Sequence, residues 1–178
     1  MSIDKINPQD YPDNSDDGYT GLVEEPVEAY LSQRASQPVL AWRILGGSSF
    51  TRNIPESALD FFQIGEKGIK KTSLKNLAEV IGIPMVDLSD MLNVSYKTLS
   101  RKGNNDLLDG WISSHSIEIA QTIARGLALF EDREKLKRWL RKPNRALKGK
   151  IPLELLKYPT GIRLVNQVML RIEEGIHT

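Results

Sequence analysis

Apolar residues along this chain recur at spacings of three and four rather than two, a period that predicts helices throughout. In TSLKNLAEVIG, Leu74, Leu77, Ala78 and Ile81 fall at i, i+3, i+4 and i+7, with Thr72 or Ser73 expected as N-cap and Gly82 as the left-handed stop. Upstream, Leu40, Ile44 and Leu45 in PVLAWRILGG share that spacing, and Gly46 or Gly47 supplies the end. TRNIPESALDFFQIGEKG places Pro55 in a first-turn position before Ala58, Leu59, Phe61 and Phe62, predicting a short helix ended near Gly65 or Gly68.

IPMVDLSDMLNVSYKTLSRKG reads as two short helices joined by a tight turn. Met85, Leu88 and Leu92 make the inner stripe of the first, and the small Ser89 allows close helix contact. Asn93 is a residue type that tolerates positive φ, and Ser95 is placed to cap the second helix. With Leu99 turned inward, a rotation of about 100° per residue sends Lys97 and Arg101 outward, with Thr98 and Ser100 on the flanks. Two cations one turn apart suit phosphate contact or guanine reading. The candidate DNA-contacting set is Ser95, Tyr96, Lys97, Thr98, Ser100, Arg101 and Lys102.

The second half is also helical. SIEIAQTIARGLALF aligns Ile117, Ala120, Ile123, Ala124 and Leu127 behind an expected N-cap at Ser116, and Phe130 extends the stripe. Asp132 is expected to cap REKLKRWLRK, in which Leu136, Trp139 and Leu140 face inward and Pro143 enforces a stop. Pro152 opens a short helix that closes before Pro159. In IRLVNQVMLRIEEG the inward stripe is Val165, Val168, Met169 and Ile172, leaving Arg163, Gln167, Leu170 and Glu174 on the far side until Gly175 ends the helix.

Composition narrows the function classes. The 178 residues hold 24 Lys and Arg against 23 Asp and Glu, two histidines and no cysteine. Disulfide frameworks, Cys-based zinc sites and thiol catalysis are thereby excluded, and the redox compartment stays open. No apolar run approaches the ~18–20 residues that cross a bilayer, and the acidic N-terminus has no signal-peptide pattern, so a cytoplasmic protein without a membrane partner is expected. Residues 1–28 contain eight acids and one base, a net charge of −7, which leaves +8 on the remaining 150 residues. That first stretch is aperiodic and reads as a disordered acidic arm.

The organisation expected is therefore all-α. An arm over 1–36 precedes a helix-turn-helix DNA-binding bundle over 37–105 and a helical unit over 106–178. Catalysis is not expected, and neither is a cofactor or a metal. His115 and His177 have no HExxH spacing and read as solvent-facing or terminal, GGSS at 46–49 is no P-loop, and the adjacent Glu173 and Glu174 diverge by about 100° on a helix.

The 85–102 segment resembles the bacterial Xre helix-turn-helix, in which a Leu-Ala-x-x-Leu-Gly-Val-Ser stretch leads into a Thr-x-Ser-Arg recognition helix. Here Ser89 stands for the usual Ala and Asn93 for the usual Gly. The C-terminal stretch is similar to the Xre/MbcA/ParS toxin-binding domain. The matching positions are Phe130, Trp139, Leu140, Pro143, Asn144, Ala146, Leu147, Gly149, Pro152, Leu153, Glu154, Leu155, Leu156, Gly161, Val165, Arg171, Ile172, Glu173 and Gly175. Most read as structural: Trp139 as a core aromatic, the prolines as helix stop and start, the glycines as backbone-permissive positions.

Together the resemblances cover roughly residues 54–178 and imply the antitoxin of a RES–Xre type II toxin–antitoxin module. They imply that it masks a NAD-depleting RES toxin, dimerises or joins a higher toxin–antitoxin assembly, and represses its own operon by binding operator DNA. Leu170, apolar on a polar face, has two readings: it packs under the Leu153–Leu156 helix or a dimer mate, or it anchors the toxin, with Arg163, Gln167, Arg171 and Glu174 around it and the tail at Ile176 and His177 reaching onward. Two other readings stay open: a stand-alone helix-turn-helix regulator whose C-terminal helices only dimerise, and a pure interaction protein with a degenerate DNA-binding unit.

Overall fold

The structure, a computed structural model, describes residues 35–175. Those residues form nine α-helices, numbered α1 (Gln37–Ile44), α2 (Ala58–Lys67), α3 (Lys71–Ile81), α4 (Met85–Met91), α5 (Tyr96–Arg101), α6 (Gly110–Phe130), α7 (Arg133–Arg141), α8 (Pro152–Leu155) and α9 (Pro159–Glu173). Short 3-10 turns lie at Gly47–Ser49 and Arg145–Leu147, and β pairing among the described residues is confined to two isolated bridges, Lys70 with Leu107 and Asn144 with Lys150. The class is all-α, as the periodicity predicts. The acidic arm read over 1–36 falls outside the described residues up to position 34, as do Ile176 and His177.

Several helix ends follow local rules. Gly82 is left-handed at φ 75°, and the Ile83 and Gly82 N–H groups turn back to the carbonyls of Ala78 and Glu79, closing α3 in a Schellman motif. Asn93, at φ 55°, does the same for α4, with Val94 and Asn93 N–H groups donating to Ser89 and Asp90. Ser95 and Asp132 cap α5 and α7 by accepting from the backbone N–H of Thr98 and Lys135.

Three expected starts are corrected. Neither Thr72 nor Ser73 caps α3: the helix begins at Lys71, Ser73 is buried inside it, and the N–H groups of Lys71 and Thr72 donate instead to the carbonyls of Asp106 and Asn104. Pro55 lies ahead of α2 rather than in its first turn, because Ser57 and Asp60 form a reciprocal capping box. α6 starts at Gly110 behind Asp109, not at Ser116, whose buried hydroxyl donates back to the Ile112 carbonyl.

The longer α6 organises the molecule. It packs against α1, α2 and α3, and also against α7 and α9. Its buried residues go nearly all the way round, from Ile112 and His115 through Ile119, Ile123 and Leu127, the signature of a central helix rather than an amphipathic one. One hydrophobic cluster accordingly runs without interruption from Leu40 to Met169. Gly126 marks a close approach, since a Cβ there would sit 2.5 Å from Leu136 Cδ1 and 3.1 Å from Met169 Cε, where α6 meets α7 and α9.

Two aromatic readings are revised as well. His115 is 4% exposed, not solvent-facing: its Nε2 donates to the Leu156 carbonyl across 2.9 Å, and Trp111 lies edge-on to its ring. Trp139 is half-buried rather than a core residue, its ring tilted against that of Phe130 at 5.5 Å along the rim of the cluster. Gly161 is needed for space and not for φ, because it is helical and a Cβ would overlap the Leu155 carbonyl where α8 turns into α9. Gly149 and Gly175, by contrast, do take positive φ.

Candidate functional site

Two exposed faces carry the residues singled out by the sequence. The first is α5, anchored by the fully buried Leu99 and packed on α4. Tyr96, Lys97, Thr98, Ser100 and Arg101 are exposed on it. The hydroxyls are already engaged: Ser95 Oγ and Thr98 Oγ1 share a hydrogen bond of 2.7 Å, and Ser100 Oγ donates to the Lys97 carbonyl. Lys102 departs from the others, being half-buried with its ammonium donating to the Leu107 carbonyl. Lys97 and Arg101 are therefore the cations this face presents outward.

The α5 end is held from below. Lys71 Nζ donates to the carbonyls of Ser100 and Lys102, satisfying the last turn of α5 from the first turn of α3. At the opposite end of α3, Arg133 donates to the carbonyls of Glu79 and Val80, and Arg141 to those of Ile81 and Gly82. Two arginines of α7 thus complete the helix end that leads into α4. Neither pairing is legible in the sequence, since each spans more than fifty residues.

The second face is the outer side of α9. Val165 and Met169 are fully buried and Val168 nearly so, while Arg163, Gln167, Leu170, Arg171 and Glu174 are exposed together. Leu170 is 42% exposed, and Leu164, which the helical period does not single out, is 48% exposed. The face thus carries two leucines among charges of both signs, a mixture suited to a protein partner. Near its start, Arg163 lines a cleft of about 480 Å³ together with Arg125, Glu118 and Asn166, where the beginnings of α1 and α9 meet the middle of α6. Asn166 Nδ2 donates to Thr122 Oγ1 in the same place, fixing α9 to α6.

Residues 125–175 match the model of the antitoxin Xre/MbcA/ParS C-terminal toxin-binding domain. Over that segment the chain is similar to the toxin-binding domain of Xre-type antitoxins. It is also similar to the Prs ADP-ribosylating antitoxin of Sphingobium sp. (strain YBL2), with 26% identity over an alignment of 129 positions that covers 67% of this chain and 81% of that protein.

The matched segment takes in the last turns of α6, all of α7 and α8, and α9 to its glycine stop. Every described member of the α9 face lies within it. No helix among the described residues is long and apolar enough to cross a membrane.

Proposed function

We propose that this protein is the antitoxin of a RES–Xre module, a cytoplasmic, non-enzymatic inhibitor that masks a NAD-consuming RES toxin and represses its own operon through α4 and α5. The observation that carries the first half is the exposed α9 face, with Leu164 and Leu170 set among Arg163, Gln167, Arg171 and Glu174, inside a segment that matches a toxin-binding domain. Leu170 is the anchor, and the polar residues around it exclude water from the contact. Arg171 pairs with acidic groups at the entrance of a toxin that handles a dinucleotide.

The relative's name joins an antitoxin to ADP-ribosylation, a chemistry that draws on NAD, which agrees with a NAD-consuming partner. The α5 face supports the second half. Ser95 caps a short helix whose Lys97 and Arg101 point away from the core, and Asn93 supplies the left-handed turn before it. Such a helix offers cations to phosphates and to base edges of a major groove. An operator of two half-sites then calls for a homodimer.

The test is co-expression of the chain with the product of the adjacent reading frame, followed by co-purification and an assay of NAD consumption. A stable complex in which NAD is spared supports the reading. A chain that neither co-purifies with the toxin nor spares NAD, yet binds operator DNA, is the stand-alone regulator instead.

A further inference from the structure

Most of the positive charge of this chain lies outside α5. Residues 133–150 hold nine Lys and Arg and a single acid, Glu134, for a net charge of +8. That equals the entire surplus of residues 29–178, so the rest of that stretch is neutral. Glu134 does not offset the patch outward, because Lys137 Nζ donates to its carboxylate at 2.7 Å and holds its carboxyl below the usual range.

The cations are sorted by the fold. Leu136 and Leu140 face the core, which leaves Lys135 and Arg138 exposed about 60° apart on α7 and Lys142 exposed just past its end. After Pro143 the chain closes a small loop, with the Asn144 N–H donating to the Lys150 carbonyl and the Gly149 N–H to that of Asn144, and Arg145, Lys148 and Lys150 stand exposed on it. None of these six side chains makes an ion pair or a hydrogen bond with another described residue.

Position gives the patch its meaning. Through Arg133 and Arg141, α7 lies across the C-terminal end of α3, at the corner where α4 begins, while Lys71 holds α5 at the other end. The eleven residues of α3 separate the two by about 16 Å, somewhat more than the roughly 12 Å width of a major groove. The α5 face and the α7 cations thus sit at opposite ends of one helix, a spacing comparable to that between phosphates across a groove.

We propose that Lys135, Arg138, Lys142, Arg145, Lys148 and Lys150 form a second, sequence-independent phosphate-contacting surface for duplex DNA, so that the DNA footprint extends onto the toxin-binding domain. This rests on the DNA-binding reading above. The partner class follows from what the patch lacks: Leu136, Leu140 and Leu147 are buried, Trp139 is half-buried, and no large exposed apolar side chain stands among the cations. Protein interfaces are depleted of lysine and built on apolar anchors, whereas DNA interfaces are polar and strongly basic. The α9 face, with its two leucines and mixed charges, has the opposite make-up.

The experiment uses the full chain carrying Lys135→Gln, Arg138→Gln, Arg145→Gln and Lys148→Gln, with unchanged circular dichroism as the check on folding. Affinity is measured across salt concentrations for a duplex spanning its own promoter and for a random duplex of equal length. The four-site variant is expected to lose at least tenfold in affinity for both duplexes alike and to lower the salt slope by up to ~3.6, about 0.9 for each phosphate no longer neutralised. Lys97→Ala with Arg101→Ala should instead reduce discrimination between the two duplexes. An unchanged salt slope in the four-site variant, while the unaltered chain binds DNA, overturns this proposal alone. Loss of toxin inhibition with DNA affinity intact also overturns it, assigning the patch to the toxin. Failure of the unaltered chain to bind either duplex overturns both this proposal and the DNA-binding reading beneath it.

Discussion

The imidazole of His115 donates from Nε2 to the carbonyl of Leu156 across 2.9 Å, joining the first half of the central helix to the turn between α8 and α9. Both residues are buried, and no other described side chain replaces this donor at Leu156. Since a carbonyl can only accept, the proton sits on Nε2, and Nδ1 is buried without a partner among the described residues. His115→Leu keeps the volume roughly but strands the carbonyl, so a loss of about 1–3 kcal/mol is expected from urea unfolding. His115→Gln, which can still donate, should recover part of it. Equal stability of the Leu variant and the unaltered chain would show that the bond contributes nothing.

Arg141 caps α3 from outside the helix, and its removal should be felt there. Arg141→Met retains the stem but deletes the donors to Ile81 and Gly82. The guanidinium is partly in water, so the expected cost is modest, about 1 kcal/mol. Amide exchange should quicken in the last turn of α3 and in α4 before anywhere else. Exchange that quickens only within α7 contradicts the cap.

Leu170→Asp puts a charge on the α9 face without touching the core, since Val165 and Met169 are the residues turned inward. Inhibition of the toxin should fall by at least tenfold, read from NAD consumption, while the thermal midpoint moves little. The full chain must be used. A fragment beginning near Asp106 would strip α1, α2 and α3 from α6 and expose the side they cover. If Leu170→Asp inhibits normally, the interface lies elsewhere in the domain.

Asp60 makes the fold of α2 sensitive to acid. The Ser57 hydroxyl, followed by the backbone N–H groups of Ser57 and Glu56, favours its charged form and holds its carboxyl below the ordinary value. A carboxyl whose folded value is depressed adds stability that is complete above its unfolded value and is lost as pH falls through the folded one. The gap in thermal midpoint between the unaltered chain and Asp60→Asn should thus be open at pH 7 and narrow steadily below pH 4. A gap that does not change with pH removes Asp60 from the account.

Much of this protein was legible in the sequence because the relevant physics is local. The caps at Ser95 and Asp132, the left-handed residues Gly82 and Asn93, and the stripe through Leu74, Leu77, Ala78 and Ile81 each depend on neighbours within a turn or two, and all appear in the structure. The spaced motif from Phe130 to Gly175 likewise belongs to a matched domain. What the period could not reveal is anything decided by a distant segment. Lys71 and Thr72 need no side-chain cap because the loop at 104–106 supplies carbonyls, and α6 begins six residues before Ser116 because Asp109 caps it ahead of a helix buried on nearly all sides. The burial of His115, the exposure of Leu164 and the reach of Arg133 and Arg141 to the end of α3 depend on partners 41 to 60 residues away or on a neighbour's absence. Spacing along a chain encodes which side of a helix is apolar, but only packing decides how many sides are covered.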